Sequence, residues 1–216
     1  MRTALRLASG LLVGFVLFSC EKSTEIDPQV FDMDLASKAA PKNLYVGMEY
    51  QGGIIFYLDE TGKHGLITAK EDVGPAPWGC YGTSYPEVSA AADSKTASKL
   101  LLANCKEKGM AARLCAKYEV REKGKNGRVY KDWYMAGFSE LREIIRVLSP
   151  VEKLCGRTYW TFMEATNWQA APLNPGKSAF ITNIACAGFP IPEAWYPFHY
   201  PRPKTEAYYA RPIRSF

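Results

Sequence analysis

The stretch Tyr50-Gln51-Gly52-Gly53-Ile54-Ile55-Phe56-Tyr57-Leu58-Asp59-Glu60-Thr61-Gly62-Lys63-His64-Gly65-Leu66-Ile67-Thr68 decides the fold class. Residues 54–58 are branched and aromatic, the composition of a strand. Residues 59–63 are turn chemistry: a glycine for positive φ, and short polar side chains that bond their own backbone. Residues 64–68 return as a second strand, so the segment predicts a β-hairpin. Downstream the apolar period changes. Ala97, Leu100, Leu101, Asn104 and Cys105 fall at helical spacing. Gly109 breaks or kinks that helix, and Ala111, Leu114, Cys115 and Tyr118 continue it. Leu141, Ile144, Ile145 and Leu148 line one face of a third helix, ended by Pro150. Strands are expected again at residues 158–163, 178–186 and 207–216. Residues 73–89 read as an irregular loop around Trp78, and residues 119–131 as a solvated loop. A hairpin, then helices, then strands and long loops make an α+β domain.

Composition agrees with one domain of this kind. The chain has 216 residues, 47% hydrophobic and 23% charged, which excludes a disordered or collagen-like polymer. A formal charge of +5 is too small to suggest a nucleic-acid partner. Two histidines disfavour most imidazole-based metal or triad chemistry. HExxH, GxSxG, P-loop and GxGxxG motifs are all missing. So are the Glu-Pro-Asn, Gln-Pro-Asp and Trp-Asn-Asp signatures of calcium-dependent sugar binding; Asn167-Trp168 has the reversed order. No metal, cofactor or catalytic residue is expected.

The first twenty residues read as an address. Arg2 and Arg6 precede the apolar run 11–18, which is shorter than the about 20 residues of a spanning helix. Leu17-Phe18-Ser19-Cys20 resembles a bacterial lipobox, in which Cys20 is acylated and becomes the new N-terminus. The alternative is a plain signal peptide with a chance cysteine. Residues 1–19 are thus expected to be a leader, and residues 20–44 a lipidated cysteine and flexible tether. Residues 45–216 would then be the globular domain. Acyl chains would anchor it to a membrane. The expected location is the outer membrane, at the cell surface or on its periplasmic face. Glu21, Glu25 and Asp27 resemble acidic surface-export signals.

Five further cysteines, Cys80, Cys105, Cys115, Cys155 and Cys186, would meet an oxidising compartment. Their odd number leaves at least one thiol unpaired within the chain. Sequence alone does not choose a pairing, and several could be small buried residues. No CxxC spacing points to a redox motif or zinc knuckle.

Residues 188–209 carry the strongest binding signal. Five prolines stand among Trp195, Tyr196, Phe198, His199 and Tyr200, with Arg202 and Lys204 following. Prolines oppose a central strand, so the reading is a long, stiff loop. Rigid aromatics bind at little entropic cost, and the two cations add contacts. The bland reading is a lid folded over the core. Trp78 is a further expected contact. Trp133, Tyr134, Tyr159 and Trp160 are expected in the core. Arg211 and Arg214 read as structural ion-pair residues, and His64 as a structural hydrogen-bonding residue.

In this order, Tyr50-Gln51-Gly52-Gly53-Ile54-Ile55-Phe56-Tyr57, residues 61–67, Ala111-Ala112-Arg113-Leu114-Cys115, Asp132-Trp133-Tyr134-Met135, Glu140-Leu141, Tyr159-Trp160-Thr161 and Arg211-Pro212-Ile213-Arg214-Ser215-Phe216 resemble the C-terminal domain family of Legionella collagen-like adhesins. The resemblance implies a C-type-lectin-like fold: two main helices, a twisted antiparallel sheet and long loops. It also implies a non-catalytic binding or adhesion role toward glycan, matrix or protein ligands. Two departures stand out. The family's Leu-Pro-Ser is Met135-Ala136-Gly137 here, which loses a serine N-cap. Its Tyr-Trp-Ser-Ser-Ser is Tyr159-Trp160-Thr161-Phe162-Met163. The alternative functions are a structural subunit of an envelope assembly and, behind it, a sulfatase-modifying-like or glycan-active enzyme.

Overall fold

The structure, a computed structural model, describes residues 43–124, 127–148, 154, 156–165, 176–184 and 198–216. The leader, Cys20, the tether, Cys155, Cys186, Trp195 and Tyr196 lie outside them. The hairpin forms where expected. Strand β1 (Glu49–Tyr50) leads into β2 (Gly53–Leu58), which pairs antiparallel with β3 (Gly65–Thr68). The Asp59 carboxylate closes the turn by accepting from the Thr61 hydroxyl and the His64 amide. Alternation then sorts the side chains: Ile55 and Ile67 pack with Tyr130 and Trp133, while Ile54 and Phe56 enter a second cluster.

Four helices follow among the described residues, two of them, at eleven residues each, the main ones. They are α1 (Pro86–Ser89), α2 (Ser94–Asn104), α3 (Ala111–Lys117) and α4 (Phe138–Leu148). Asp93 caps α2 by accepting from the Thr96 amide. Leu141, Ile144, Ile145 and Leu148 of α4 are buried, as their spacing requires. Pro150, expected to end α4, lies outside the described residues.

Two five-stranded sheets carry these helices. The first runs β1-β2-β3-β12-β7, with β7 at Tyr134–Met135 and β12 at Pro212–Ser215. The second runs β10-β9-β8-β11-β4, with β4 at Val73–Pro77, β8 at Thr158–Glu164, β9 at Ser178–Asn183, β10 at Phe198–Pro203 and β11 at Ala207–Ala210. The pair β11–β8 is parallel, so this sheet is mixed rather than purely antiparallel. One face packs Trp160, Ile181 and Ala210 against Leu101, Met110 and Ala112. The other sets Tyr159 and Ile184 against Leu141, Ile144 and Ile213.

Four expectations need correction. Residues 73–89 are not wholly irregular, because β4 and α1 lie there. Residues 119–131 contain a small ladder, β5 (Val120–Arg121) with β6 (Val129–Tyr130). The single strand expected at residues 207–216 is two strands in different sheets, because the backbone changes partner at Arg211. Residues 188–209 are not one loop, because β10 pairs with β9 over six residues. The prolines permit this because β10 is an edge strand. Pro201 and Pro203 sit at alternate positions, where the lost N–H faces away from β9.

Trp133, Tyr134, Tyr159 and Trp160 are all buried, as expected. Buried charge is paired. Asp72 meets Arg157 and Arg211 and accepts the Tyr159 hydroxyl proton. Arg214 is bidentate on Asp132, bonds Gln51, and lies over the Tyr130 ring. Both arginines therefore have the structural role expected of them. Cys80 and Cys105 form a disulfide. Cys115 is a buried free thiol, its pKa pushed up by burial. Among the described residues, no helix is long and apolar enough to cross a membrane.

Candidate functional site

The residues singled out by sequence separate into an interior group and a surface group. Trp78 and Lys204 belong to the interior. Both are fully buried, so neither is the surface contact that was expected. Lys204 extends from the turn after β10 into a cage of Trp78 and Tyr85, with Nζ 4.2 Å from the Trp78 ring centre. There it forms an ion pair with Glu164 and donates to the Thr83 carbonyl at 2.8 Å. Glu164 also accepts from the Ser84 hydroxyl and, at 2.6 Å, from the Tyr85 amide. Burial pushes the Lys204 pKa down, and the Glu164 carboxylate opposes that shift. The Trp78 indole donates to the Thr161 carbonyl at 2.9 Å. This site fastens the loop at residues 78–85 to the end of the second sheet.

His199 is also turned away from the expected surface. Alternation along β10 puts it on the opposite face from Tyr200 and Arg202. Its ring stacks on Phe180, centres 4.3 Å apart at 13°, and lies 4.7 Å from Phe138. Its Nδ1 is buried without a hydrogen-bond partner among the described residues. Burial pushes its pKa down to about 4, so the ring is neutral at neutral pH. His64, by contrast, is exposed, and its hydrogen bonds to Asp59 use its backbone.

Tyr200 and Arg202 are brought together at the surface. The Arg202 guanidinium lies 5.5 Å from the centre of the Tyr200 ring. Its Nε is 4.0 Å from a Glu206 carboxylate oxygen, and the two side chains are 47% and 38% exposed. Tyr208 donates its hydroxyl proton to Glu206 and sets its ring edge-on to Trp160, 5.0 Å away. Burial, then the Glu206 charge, raises the Tyr208 pKa to about 12, so it stays a donor at neutral pH. Side chains from β10, the following turn and β11 thus offer a cation, a carboxylate and two partly buried aromatic rings that rest on the core. Such a set can stack on a sugar ring and exchange hydrogen bonds with its hydroxyls.

Sequence reading missed Glu206 and Tyr208, although both stand inside the stretch it selected. Arg202, Glu206 and Tyr208 stand at even spacings, but a turn interrupts the strand between them. Only the turn between two strands of one sheet reveals that these side chains meet. Cys80, Cys105 and Glu107 cluster closely enough to suggest a metal site. Both sulfurs are in the disulfide, however, and Glu107 accepts the Cys80 amide at 2.7 Å.

Fold and surface together define an α+β domain with a partly exposed aromatic and ionic patch. No family model matches the chain, and no curated protein matches it.

Proposed function

We propose that this chain is a lipid-anchored, non-catalytic binding module of the bacterial outer membrane that takes a glycan on the surface formed by Tyr200, Arg202, Glu206 and Tyr208. The observation that carries the reading is the convergence of two partly buried tyrosines with an ion pair stretched to 4.0 Å, outside hydrogen-bond reach. A sugar hydroxyl inserted there would find both a donor and an acceptor. The lipobox-like Leu17-Phe18-Ser19-Cys20 supports the anchor, and the resemblance of the ordered segments to the adhesin C-terminal domain family supports an adhesin role. The test is glycan-array binding by the full chain in detergent, beside Arg202→Gln and Tyr208→Phe. Binding that both variants weaken, with unchanged melting, supports the reading. A folded chain that binds no glycan removes it.

Exposed Tyr45, Val46 and Tyr57 favour a second reading, an envelope-assembly subunit. A stable complex recovered by gentle extraction, and lost in Tyr57→Ser, would support it.

A further inference from the structure

The loop at residues 78–85 has one large exposed side chain, Tyr81, which is 51% accessible. Its backbone is held unusually firmly for a surface loop. Cys80-Tyr81-Gly82-Thr83 is a β-turn closed by the Thr83 amide donating to the Cys80 carbonyl at 3.1 Å, with Gly82 at φ +90°. Tyr81 is a corner residue of that turn. Four fasteners surround it. Cys80 is bonded to Cys105 at the end of α2, and its amide donates to Glu107. The Gly82 amide donates to the Gly176 carbonyl at 2.9 Å. The Thr83 carbonyl accepts from Lys204. A Cβ on Gly176 would stand 2.7 Å from the Thr83 backbone, so glycine is required where the two segments meet.

Lys204 makes the connection to the surface described above. It lies two residues from Arg202 on one side and from Glu206 on the other. One buried ammonium therefore fixes the turn carrying Arg202 and Glu206 and the turn carrying Tyr81. An exposed aromatic on a pinned corner is an anchor that gives up little conformational entropy on binding.

We infer that Tyr81 is a second stacking subsite of the same surface, so that the site takes an oligosaccharide across several rings rather than a single sugar. This rests on the glycan-binding reading. Lys204 is then a positioning residue, not a ligand contact.

The test measures affinity of the full chain for glucose and N-acetylglucosamine β-1,4 oligomers of one and of six rings. Tyr81→Ala should lose about tenfold in affinity for the six-ring probes, the cost of truncating an anchoring aromatic. It should leave one-ring binding unchanged. Arg202→Gln should weaken both lengths, and Tyr57→Ala, an equally exposed tyrosine on β2, neither. If Tyr81→Ala matches the unaltered chain on six rings while Arg202→Gln weakens it, the second subsite is overturned and the first reading stands. If the folded, unaltered chain binds neither length of either oligomer, the subsite is overturned too. Array binding of other glycans would then decide whether the first reading survives.

Discussion

At the residue scale, the side chain most misread by sequence is Lys204. Its neighbours, Pro-Arg-Pro before and Thr-Glu after, are those of an exposed turn. What buries it is Glu164, forty positions away, and that partnership leaves no local trace. Removing the ammonium alone strands a buried carboxylate. Lys204→Met should therefore cost about 3–5 kcal/mol in urea unfolding. Lys204→Met with Glu164→Gln should cost less, because no charge is left unpaired. A single variant as stable as the unaltered chain would show that the pair is not buried in solution. His199 gives a second expectation. Unfolded, its imidazole takes a proton near pH 6.5; folded, it resists until about 4. Its contribution is complete above pH 6.5 and is lost as pH falls from there toward 4. Melting temperature should fall less steeply across that window in His199→Phe than in the unaltered chain. Parallel curves would place the ring in water. The tyrosines and tryptophans expected in the core were legible because large aromatics are buried by default. Tyr200 and Arg202 were legible by composition, and Tyr208 became informative only once its hydroxyl was seen on Glu206.

At the element scale, α4 keeps one half of a capping box. Gly137 precedes the helix and offers no hydroxyl. Its amide donates instead to the Ser94 hydroxyl at 3.1 Å and to the Glu140 carboxylate at 3.2 Å. Ser94 in turn donates to Glu140 at 2.7 Å, so a side chain of α2 joins the Glu140 carboxylate in holding the Gly137 amide. Glycine is imposed from across the core, since a Cβ at position 137 would meet the Phe162 ring at 2.3 Å. Gly137→Ser should thus destabilise by about 1–3 kcal/mol through overpacking, despite adding a favoured capping residue. Phe162→Ser should relieve much of that cost in the double variant, as thermal unfolding of the four-member cycle would show. Additive effects would refute the contact. The second sheet's edges teach a related lesson. Its two edge strands each carry two alternate prolines, Pro75 and Pro77 in β4, Pro201 and Pro203 in β10. Each removes a donor that a foreign strand could use. Pro201→Ala with Pro203→Ala should raise concentration-dependent self-association in sedimentation, and an unchanged monomer would argue against this protection. In the sequence Pro201 and Pro203 argued against a central strand and for a stiff loop. The rule was sound for a central strand, but the position of β10 in the sheet is set by long-range pairing.

At the scale of the whole molecule, the α+β class followed from the order of periods, whereas the sheet order did not. The hairpin at residues 54–68 and the α2 and α4 faces are local patterns. The move of the backbone from one sheet to the other at Arg211 is not. It depends on Asp72, which meets Arg157 and Arg211 and so ties together strand ends distant in sequence. The disulfide is a further long-range tie, joining cysteines 25 positions apart. Breaking it should cost about 3 kcal/mol, by the loop-closure entropy returned to the unfolded chain. Unfolding under reducing and oxidising conditions checks this, and coincident curves would show that the bond does not form. The sheet order also governs when the domain can form. Residues 207–215 supply an interior strand to each sheet, β11 between β8 and β4, and β12 between β3 and β7. A nascent chain halted before Ala207 has a gap in both sheets, with its hairpins and helices unable to unite. Folding must then wait for these late-made residues.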